Sequence, residues 1–396
     1  MSDFPWLTIV GIGEDGVAGL CASGQAAIAD ANVIFGPPRH LDLVAKGRAQ
    51  HIEWPVPFVD GLDILDGLKD QNVVVLASGD PFWFGAGSVI ARRYDEHEWR
   101  ALPGPSCFSL AAARLGWALE GTVCVGLHAA PFMRLKRHLA PGVRIIATLR
   151  DGDAVKDIAT YLVAQGFGES SITVLEHLGG PAENVTQAQA AALFGTFAHP
   201  VCVALNIAGT GAVLTSATGQ ADDSFESDGQ ITKRPVRAIT LSTLAPKPFE
   251  HLWDIGAGSG SIALEWLLAH PTTQATCVEP RKDRADRIQR NAQTLGIENR
   301  LRVIHGAAPD ALSELAEPDA IFVGGGLCQD VLDVVTQHDV RIVVNAVTLE
   351  GEALLASAQA KLGGALMRIA LSSVVPLGPK RGWTSAFPVV QWSLTR

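Results

Sequence analysis

Residues 253–260 read Trp-Asp-Ile-Gly-Ala-Gly-Ser-Gly and form a glycine-rich turn between a short apolar strand and an apolar helical run. A strand that ends in a tight glycine turn and leads into a helix N-terminus is a common binding place for nucleotide-like cofactors. The glycines are Gly256, Gly258 and Gly260, and Ser261 stands where a dinucleotide fingerprint has its third glycine. The spacing therefore argues against a dinucleotide.

Two acidic residues flank this turn. Asp254 precedes the glycines, and a carboxylate there repels phosphate and attracts a cation. Glu279 ends the next apolar strand, 23 residues after Gly256, about where an acid reaches ribose hydroxyls in βαβ nucleotide sites. S-adenosylmethionine carries an ammonium, a sulfonium and a ribose, so this order of acid, glycines and acid predicts an S-adenosylmethionine site. The alternative is an ordinary glycine turn between a strand and a helix.

The composition is that of a globular protein with more than one domain. The chain has 396 residues, of which 47% are hydrophobic and 18% charged, and this length exceeds what one hydrophobic core usually serves. The formal net charge of −10 disfavours nucleic acid or an anionic membrane as the main partner, because such partners need a basic face. An acidic small molecule in a local basic pocket is compatible with that charge.

The six cysteines are widely spaced, with no C-x-x-C pair, and this indicates reduced thiols, not a disulfide framework or a zinc site. Residues 1–4 begin no secretory signal, and no apolar stretch reaches membrane-spanning length. We therefore expect a soluble cytoplasmic protein with no membrane partner and no bound metal. We also expect it to form a homo-oligomer.

Residues 211–229 are small, polar and acidic, with four carboxylates within 222–228, a composition typical of an exposed connector. On both sides of this segment short apolar strands alternate with helical patterns, which is the signature of α/β layers. The sequence therefore predicts a first domain over 1–210, a linker over 211–229 and a second domain over 230–396.

The predicted strands of the first domain are 7–10, 33–35, 73–77, 123–125, 143–148, 171–175 and 201–205. Those of the second domain are 252–255, 275–278, 301–305, 320–323, 341–344, 365–371 and 389–394. The predicted helices include 109–115, 155–165, 262–269, 283–295 and 353–361.

The first half has three glycine or proline turns of its own, each at the end of an apolar stretch. They read Gly11-Ile-Gly13, Ser78-Gly-Asp-Pro81 and Leu102-Pro-Gly-Pro-Ser-Cys-Phe-Ser109. Pro81 cannot continue a strand ladder, and ligands bind at the carboxyl ends of strands in open α/β sheets. Each turn alone is more often a plain turn, but together and in this order they indicate a ligand site.

These motifs resemble the tetrapyrrole (precorrin) methyltransferases of cobalamin biosynthesis, and the resemblance covers nearly the whole chain. In the first half it rests on the segments 11–13, 78–81, 103–106 and 175–179, and Gly36-Pro-Pro-Arg-His-Leu41 is similar to the branch that methylates C-5. The second half resembles the C-15 methyltransferase and decarboxylase in the segments 231–237, 253–260, 306–309, 318–325 and 345–350.

The resemblance implies an N-terminal tetrapyrrole (class III) methyltransferase fold of two α/β lobes, linked to a C-terminal Rossmann-like class I methyltransferase domain. It implies two S-adenosylmethionine sites per chain and an anionic tetrapyrrole substrate, precorrin-6Y. The implied reaction methylates C-5 and C-15 and removes CO₂ from the ring C (C-12) acetate, giving precorrin-8x. Where family members often have His-Gly-Arg, this chain reads Leu127-His-Ala-Ala130, so a basic group is missing there.

The motifs and the resemblance together give a set of candidate site residues. The candidate cofactor residues are Gly11, Gly13, Gly79, Asp80, Pro81, Ser106 and Cys107 in the first half and Thr232, Asp254, Gly256, Gly258, Gly260, Glu279, Gly306 and Ala307 in the second. The candidate substrate residues are the cations Arg39, His40, Lys233, Arg237, Lys380 and Arg381, which are able to pair with propionate and acetate groups or to form a solvated basic surface. The catalytic residues and the base are unassigned. Asn345 and Glu350 follow a strand end, where their side chains are able to face the substrate, and they are the candidate catalytic residues.

Methylation of an electron-rich ring carbon needs no protein nucleophile, and the sequence has no hydrolase triad signature, H-E-x-x-H motif or Cys/His cluster. The protein has to align the reactants, exclude water and supply a base. One alternative is a nucleic-acid methyltransferase, which would have an Asn/Asp-Pro-Pro-aromatic turn where this chain reads Val323-Gly-Gly-Gly326. Another is a chain in which only the second half is catalytic and the first half is regulatory or binds substrate.

Overall fold

The computed structural model describes residues 5–395. The chain divides into two compact units, of which the first runs to Phe132 and continues over His138–Ala212. The second comprises Met133–Arg137 and the chain from Val213 onward. Within residues 5–395, no helix is long and apolar enough to cross a membrane.

The first unit begins with a fully parallel sheet of five strands. Its strands are β1 (Leu7–Ile12), β2 (Val33–Gly36), β3 (Gln50–Glu53), β4 (Val73–Ser78) and β5 (Trp99–Leu102), and its helices are α1 (Ala22–Asp30), α2 (Pro38–Asp42), α3 (Asp60–Asp66) and α4 (Gly87–Arg93). The strand order is β3-β2-β4-β1-β5. Successive residues of a strand enter different hydrophobic cores on the two faces of the sheet. Ile9 and Phe35 pack on one face, and Val10 and Ile34 pack on the other.

The second sheet of this unit is mixed. It contains β6 (Thr122–Gly126), β7 (Arg144–Thr148), β8 (Ser171–Glu176), β9 (Asn184–Gln189) and β10 (Val201–Asn206), with the helices α5 (Cys107–Leu115) and α6 (Asp153–Ala164). The strand order is β6-β7-β10-β8-β9, and only β6 and β7 pair in parallel. Helix α5 buries Phe108 and Ala111 against Ile146 and Leu175 of this sheet.

The second unit is built on one sheet of seven strands. The described residues of this unit form nine strands, of which seven belong to that sheet and two to a separate hairpin. They are β11 (His251–Ile255), β12 (Gln274–Glu279), β13 (Leu301–His305), β14 (Ala320–Val323), β15 (Arg341–Ala346), β16 (Ala365–Ile369), β17 (Ser372–Leu377), β18 (Lys380–Ser385) and β19 (Val389–Leu394). Its helices are α7 (Arg234–Leu244), α8 (Ser261–Ala269), α9 (Lys282–Leu295), α10 (Gln329–Val335) and α11 (Leu349–Leu362). The order of the large sheet is β13-β12-β11-β14-β15-β19-β16, and β17 and β18 form a separate hairpin.

The strand order of the large sheet reverses at β11. β12 pairs with one edge of β11 and β14 with the other, all in parallel, and β19 runs antiparallel to β15 and β16. A reversal of this kind opens a crevice at the carboxyl ends of the two strands. The glycine turn at 256–260 leaves β11 at that crevice, so the α/β fold predicted for this half is confirmed and its site lies where the topology requires.

The later part of the predicted connector over 211–229 is anchored to the second unit. From Gly219 onward it packs on the second unit, where the N–H groups of Gly219 and Gln220 donate to Glu265 at 2.6 and 2.9 Å and Phe225 is buried. The acidic residues that follow pair with arginines of α9, for example Glu226 with Arg290 at 2.6 Å. The expectation of an exposed connector is therefore corrected for Gly219, Gln220 and Phe225, which are buried, whereas Glu226 and Asp228 stay exposed but are held by ion pairs.

A second difference lies at residues 372–385, where the sequence analysis predicts no strand. The structure has a hairpin there, with Pro376 opposite Arg381 and Leu377 opposite Lys380. Proline is compatible with this position because a two-stranded sheet has free edges that need no N–H donor.

Candidate functional site

Three glycine turns of the first unit are in direct backbone contact with one another. The N–H of Gly79 donates to the carbonyl of Ile12 at 3.0 Å, and the N–H of Gly104 donates to the carbonyl of Gly79 at 3.0 Å. A Cβ atom at position 11 would lie 1.7 Å from the Gly79 oxygen and 2.6 Å from the Gly104 nitrogen. Glycine is the one residue that permits this approach, so the turns recognised in the sequence belong to one site.

A cavity of about 250 Å³ lies beside these turns. Gly11 and Gly13, two of the candidate cofactor residues, line it together with Gly104. Glu14 and Asp15 also line it, and the sequence analysis missed both. The sequence contained a signal for these two residues, because both acids follow Gly13 directly. In the same way, the acid Asp254 lies beside the glycine turn of the second unit.

The remaining candidates around these turns shape the loops and do not line the cavity. Asp80 accepts a hydrogen bond from the N–H of Phe82 at 2.9 Å, and Pro81 packs against the loop that follows it. Ser106 caps α5 by accepting from the N–H of Ser109 at 3.1 Å. Cys107 begins that helix, where the Cys202 thiol lowers its pKa by hydrogen bonding.

Arg39 and His40 are held by partners inside the protein. Arg39 pairs with Glu14 and donates to the Ser78 hydroxyl at 3.1 Å. His40 is 4% exposed, and burial, with a smaller contribution from the Arg39 charge, lowers its pKa to about 4. A buried neutral imidazole is unable to bind a substrate carboxylate as a cation, so the prediction for His40 is wrong.

A histidine outside the predicted set joins this cluster. The Nδ1 atom of His177 lies 3.1 Å from the Oε2 atom of Glu14, and the other oxygen of that carboxylate pairs with Arg39. Glu14 is therefore held from two sides, by one cation and one imidazole.

In the second unit the glycine turn has left-handed backbone at each of its glycines. The φ angles of Gly256, Gly258 and Gly260 are 68°, 60° and 77°. A Cβ atom at Gly256 would lie 2.3 Å from the carbonyl oxygen of Gly325, and one at Gly260 would lie 2.8 Å from Ile288. Both the conformation and the space therefore require glycine.

Asp254 is buried beneath this turn. Its Oδ2 atom accepts from the N–H of Ala263 at 3.1 Å, whereas its Oδ1 atom has no hydrogen-bond partner among the described residues. Burial raises the pKa of Asp254 to about 7, the charge of Glu279 adds to this shift, and the Ala263 N–H opposes it. A buried carboxyl oxygen without a partner fits a ligand that brings a positive charge or a hydrogen-bond donor.

Glu279 connects the turn to the ends of the neighbouring strands. Its Oε2 atom accepts from the N–H of Gly258 at 2.8 Å, and its Oε1 atom accepts from the N–H of Arg281 at 3.0 Å. The N–H of Gly306 donates to the backbone oxygen of Glu279 at 3.1 Å, which places Gly306 and the following Ala307 next to this acid.

A smaller cavity of about 170 Å³ is lined by Thr232, Lys233 and Asn345, with apolar residues that include Phe387. Asn345 donates to the Thr240 hydroxyl at 2.9 Å and accepts from Gln391 at 2.9 Å, so its amide is held in one orientation. Glu350, the other candidate catalytic residue, is exposed in the first turn of α11 and does not line this cavity.

Arg237 is a structural residue, which corrects its prediction as a substrate ligand. Its side chain is fully buried and pairs with Glu265 at 2.5 Å and with Asp222 at 3.0 Å. It also donates to the backbone oxygens of Gln220 and Thr232. Each guanidinium nitrogen therefore has a partner inside the protein, and the fully buried side chain is not accessible to a substrate.

The other basic candidates remain exposed. Lys233 is 61% exposed and 3.9 Å from Asp222, and Lys380 and Arg381 begin the second strand of the hairpin. Within the described chain, neither hairpin cation has an ion-pair partner. These three residues are therefore available to an anionic ligand.

Two family profiles divide the chain between them. Residues 6–193 match tetrapyrrole (corrin/porphyrin) methylases, and residues 223–396 match a precorrin methyltransferase domain. A Sinorhizobium protein named precorrin-6Y C(5,15)-methyltransferase (decarboxylating) is 48% identical over 402 residues, covering 99% of this chain and 97% of that protein. The chain belongs to the precorrin-6Y C5,15-methyltransferase (decarboxylating) family.

Members of the precorrin-6Y C5,15-methyltransferase family are S-adenosylmethionine-dependent C-methyltransferases of cobalamin biosynthesis. A Mycobacterium tuberculosis protein of the same name is 38% identical over 400 residues, covering 98% of this chain and all of that protein. A shorter Saccharolobus solfataricus protein, named probable cobalt-precorrin-6B C(15)-methyltransferase (decarboxylating), is 34% identical over 155 residues. That match covers 37% of this chain and 77% of that protein. Family membership confirms the resemblance drawn from the motifs and disfavours a nucleic-acid methyltransferase.

Proposed function

We propose that this chain methylates precorrin-6Y at C-5 and C-15 and releases the ring C acetate carboxyl as CO₂, giving precorrin-8x, with one S-adenosylmethionine site in each unit. The observation that carries the proposal is that each unit has its own glycine-built site with acids beside it. Gly11, Gly79 and Glu14 form the first, and Gly256 and Asp254 belong to the second.

The residues of the second unit fit this cofactor. When bound, S-adenosylmethionine supplies a methyl group on a positively charged sulfur. Asp254 offers a buried, unpartnered oxygen to a cationic group, and Glu279 offers carboxylate oxygens whose remaining lone pairs are able to accept from ribose hydroxyls. Gly258 leaves open space in front of the turn, since only one atom lies within 4 Å of a Cβ built there.

We assign C-5 methylation to the first unit and C-15 methylation with decarboxylation to the second. Support comes from the precorrin methyltransferase profile, which matches residues 223–396, and from the Saccharolobus relative, whose name carries only the C(15) activity and whose match covers 37% of this chain. Lys233, Lys380 and Arg381 would pair with substrate carboxylates, and Asn345 would orient the ring from the small cavity. The conjugated imines of the macrocycle act as the electron sink for CO₂ loss.

For the domains, we retain 1–210 as the C-5 domain and place the start of the C-15 domain at Gly219. We include residues 219–229 in the second domain. Backbone N–H groups of this segment donate hydrogen bonds to Glu265, and its acidic side chains pair with arginines of α9. Residues 211–218 remain as the connector.

The proposal is tested by incubating the full chain with precorrin-6Y and S-adenosylmethionine that carries an isotopically labelled methyl group. Mass spectrometry should find two labelled methyl groups per tetrapyrrole, and the gas phase should contain one CO₂ for each product molecule. A product with one methyl group and loss of CO₂ would favour the alternative in which only the second unit is catalytic. No conversion at all would contradict the proposed function.

Cofactor binding to the second unit should depend on pH through Asp254. Its pKa of about 7 in the free protein means that the carboxyl is mostly protonated at pH 5–6 and must lose its proton to pair with a cation. We therefore expect the affinity to rise about tenfold per pH unit between pH 5 and pH 6 and to level off above pH 7. Calorimetry in buffers of different ionisation enthalpy should detect release of about one proton at pH 6.

The matched variant for this measurement is Asp254→Asn, which keeps the shape of the side chain and removes its titration. Its affinity at the second site should be weak and independent of pH over the same range. A pH dependence that persists in this variant would show that another group accounts for it.

A further inference from the structure

We propose that His177 accepts the proton that methylation displaces from the ring carbon in the first unit, and that Glu14 positions His177 for this task. The proposal rests on the proposed function of that unit. It adds a catalytic base, which the motifs alone did not identify.

The loop after β8 fixes the position of His177. The residue has a φ of 45°, a left-handed conformation that is uncommon for residues other than glycine and often marks a functional site. Its N–H donates to the carbonyl of Pro200 and its own carbonyl accepts from Gly180, both at 2.9 Å. A Cβ atom at Gly180 would lie 2.5 Å from the Cβ of Glu14, so the loop is pressed against that residue.

Glu14 determines which nitrogen of His177 is free. Its carboxylate pairs with Arg39 through one oxygen and meets the Nδ1 atom of His177 through the other at 3.1 Å. Because an ionised carboxylate only accepts hydrogen bonds, Nδ1 must carry the proton. The Nε2 atom then keeps its lone pair, and no side chain or backbone group in the described part of the chain hydrogen-bonds to it.

The pair lies at the edge of the cofactor cavity. Glu14 lines that cavity, and so do Leu178 and Gly179, the two residues that follow His177. The side chain of His177 is 27% exposed and that of Glu14 is 14% exposed. The imidazole is therefore accessible to a ligand, whereas the carboxylate behind it is largely shielded from water.

The chemistry requires one proton acceptor. The ring carbon uses its electron pair to form the new C–C bond, while the bond between the methyl group and sulfur breaks and leaves its electrons on sulfur. The C–H bond at the methylated carbon then breaks, its electron pair returns to the conjugated ring, and the proton passes to Nε2 of His177. The Glu14 carboxylate stabilises the imidazolium that forms, as a carboxylate does for a general base.

Other histidines of this cluster are less suited. His40 is buried, its Nε2 atom is 2.9 Å from the Ser78 hydroxyl, and its pKa is lowered to about 4. Burial also lowers the pKa of His199. Of the charged and titratable groups around His177, Glu14 is in contact at 3.1 Å and Arg39 pairs with that carboxylate. His199 interacts electrostatically with His177, Glu14, Arg39 and Asp151.

The test compares His177→Ala, Glu14→Gln and the matched control His128→Ala. His128 is exposed, and its Nδ1 atom lies 3.4 Å from the Thr148 hydroxyl. We expect kcat for C-5 methylation to fall about a hundredfold in His177→Ala and about tenfold in Glu14→Gln, with C-15 methylation unchanged in both. The wild-type rate should fall at acid pH, where an imidazole is protonated, and His177→Ala should lose this dependence.

Two further readouts separate a base from a structural residue. Added imidazole should restore at least part of the C-5 rate of His177→Ala and leave the rate of the control unchanged. In the free protein, ¹⁵N NMR should show neutral His177 with its proton on Nδ1, and Glu14→Gln should change this tautomer balance. If His177→Ala keeps the wild-type C-5 rate, or loses it without rescue by imidazole, His177 is not the base. If the wild type itself does not methylate C-5, the proposed function is wrong.

Discussion

Gly11→Ala should abolish cofactor binding in the first unit and C-5 methylation with it, while the second unit keeps both its site and its activity. The added Cβ atom would lie 1.7 Å from the backbone oxygen of Gly79 and 2.6 Å from the backbone nitrogen of Gly104. Neither backbone is able to move away without breaking the hydrogen bond between these two residues. Calorimetry should then count one cofactor per chain, and the tetrapyrrole product should carry one methyl group.

The matched control is Gly121→Ala. Gly121 is exposed, no heavy atom lies within 4 Å of a Cβ built there, and its φ is not positive. This variant should keep two cofactors per chain and both methylations. If Gly11→Ala behaves in the same way, the three turns do not form a cofactor site.

Arg237→Met should lower the free energy of unfolding of the second unit by about 3–5 kcal/mol, because the substitution leaves Glu265 buried without its cation. Arg237 is fully buried, and it pairs with Glu265 at 2.5 Å and with Asp222 at 3.0 Å. It also links α7 to the segment around Gln220, because its guanidinium donates a hydrogen bond to the backbone oxygen of Gln220. Urea denaturation of the full chain, followed by a probe of the second unit, measures the loss.

Arg234→Met is the control, since Arg234 is exposed on the same helix and the exchange removes the same group. Its effect on unfolding should be within about 0.5 kcal/mol. The opposite pattern, with unchanged unfolding and a raised KM for the tetrapyrrole in Arg237→Met, would restore the interpretation of Arg237 as a substrate ligand.

The sequence predicts the central strands of every sheet well, and its errors fall mainly at the edges. β1, β4 and β11 are short apolar stretches because they are buried on both faces. The strands it misses in the first unit, β3, β5 and β9, all lie at the edge of a sheet. An edge strand faces solvent and keeps polar residues, so it lacks the apolar pattern that identifies a strand.

The errors at the connector and at Arg237 have one physical cause. The acidic residues of 222–228 and the basic residues around 233–237 are read separately in the sequence, and each set then predicts an exposed, charged surface. In the fold these charges have partners, since Asp222 pairs with Arg237 and Asp228 pairs with Arg284 of α9. Opposite charges that are distant in sequence become partners only when the tertiary structure is known.

The sequence alone predicts the candidate glycines of both units and the two acids of the second unit. Gly256 and Gly11 occupy positions that no other residue tolerates, so their spacing identifies the site. The Glu14–His177 pair joins residues 163 positions apart, and no local spacing links them. Such a pair requires the arrangement of β1 and β8 in space.

The number of S-adenosylmethionine molecules bound per chain tests the central claim most directly. Calorimetric titration of the full chain should give two, and Gly11→Ala and Glu279→Ala should each give one, with the remaining site at wild-type affinity. A value of one for the wild type, lost in Glu279→Ala and unaffected by Gly11→Ala, would contradict the account and leave the first unit without a cofactor site.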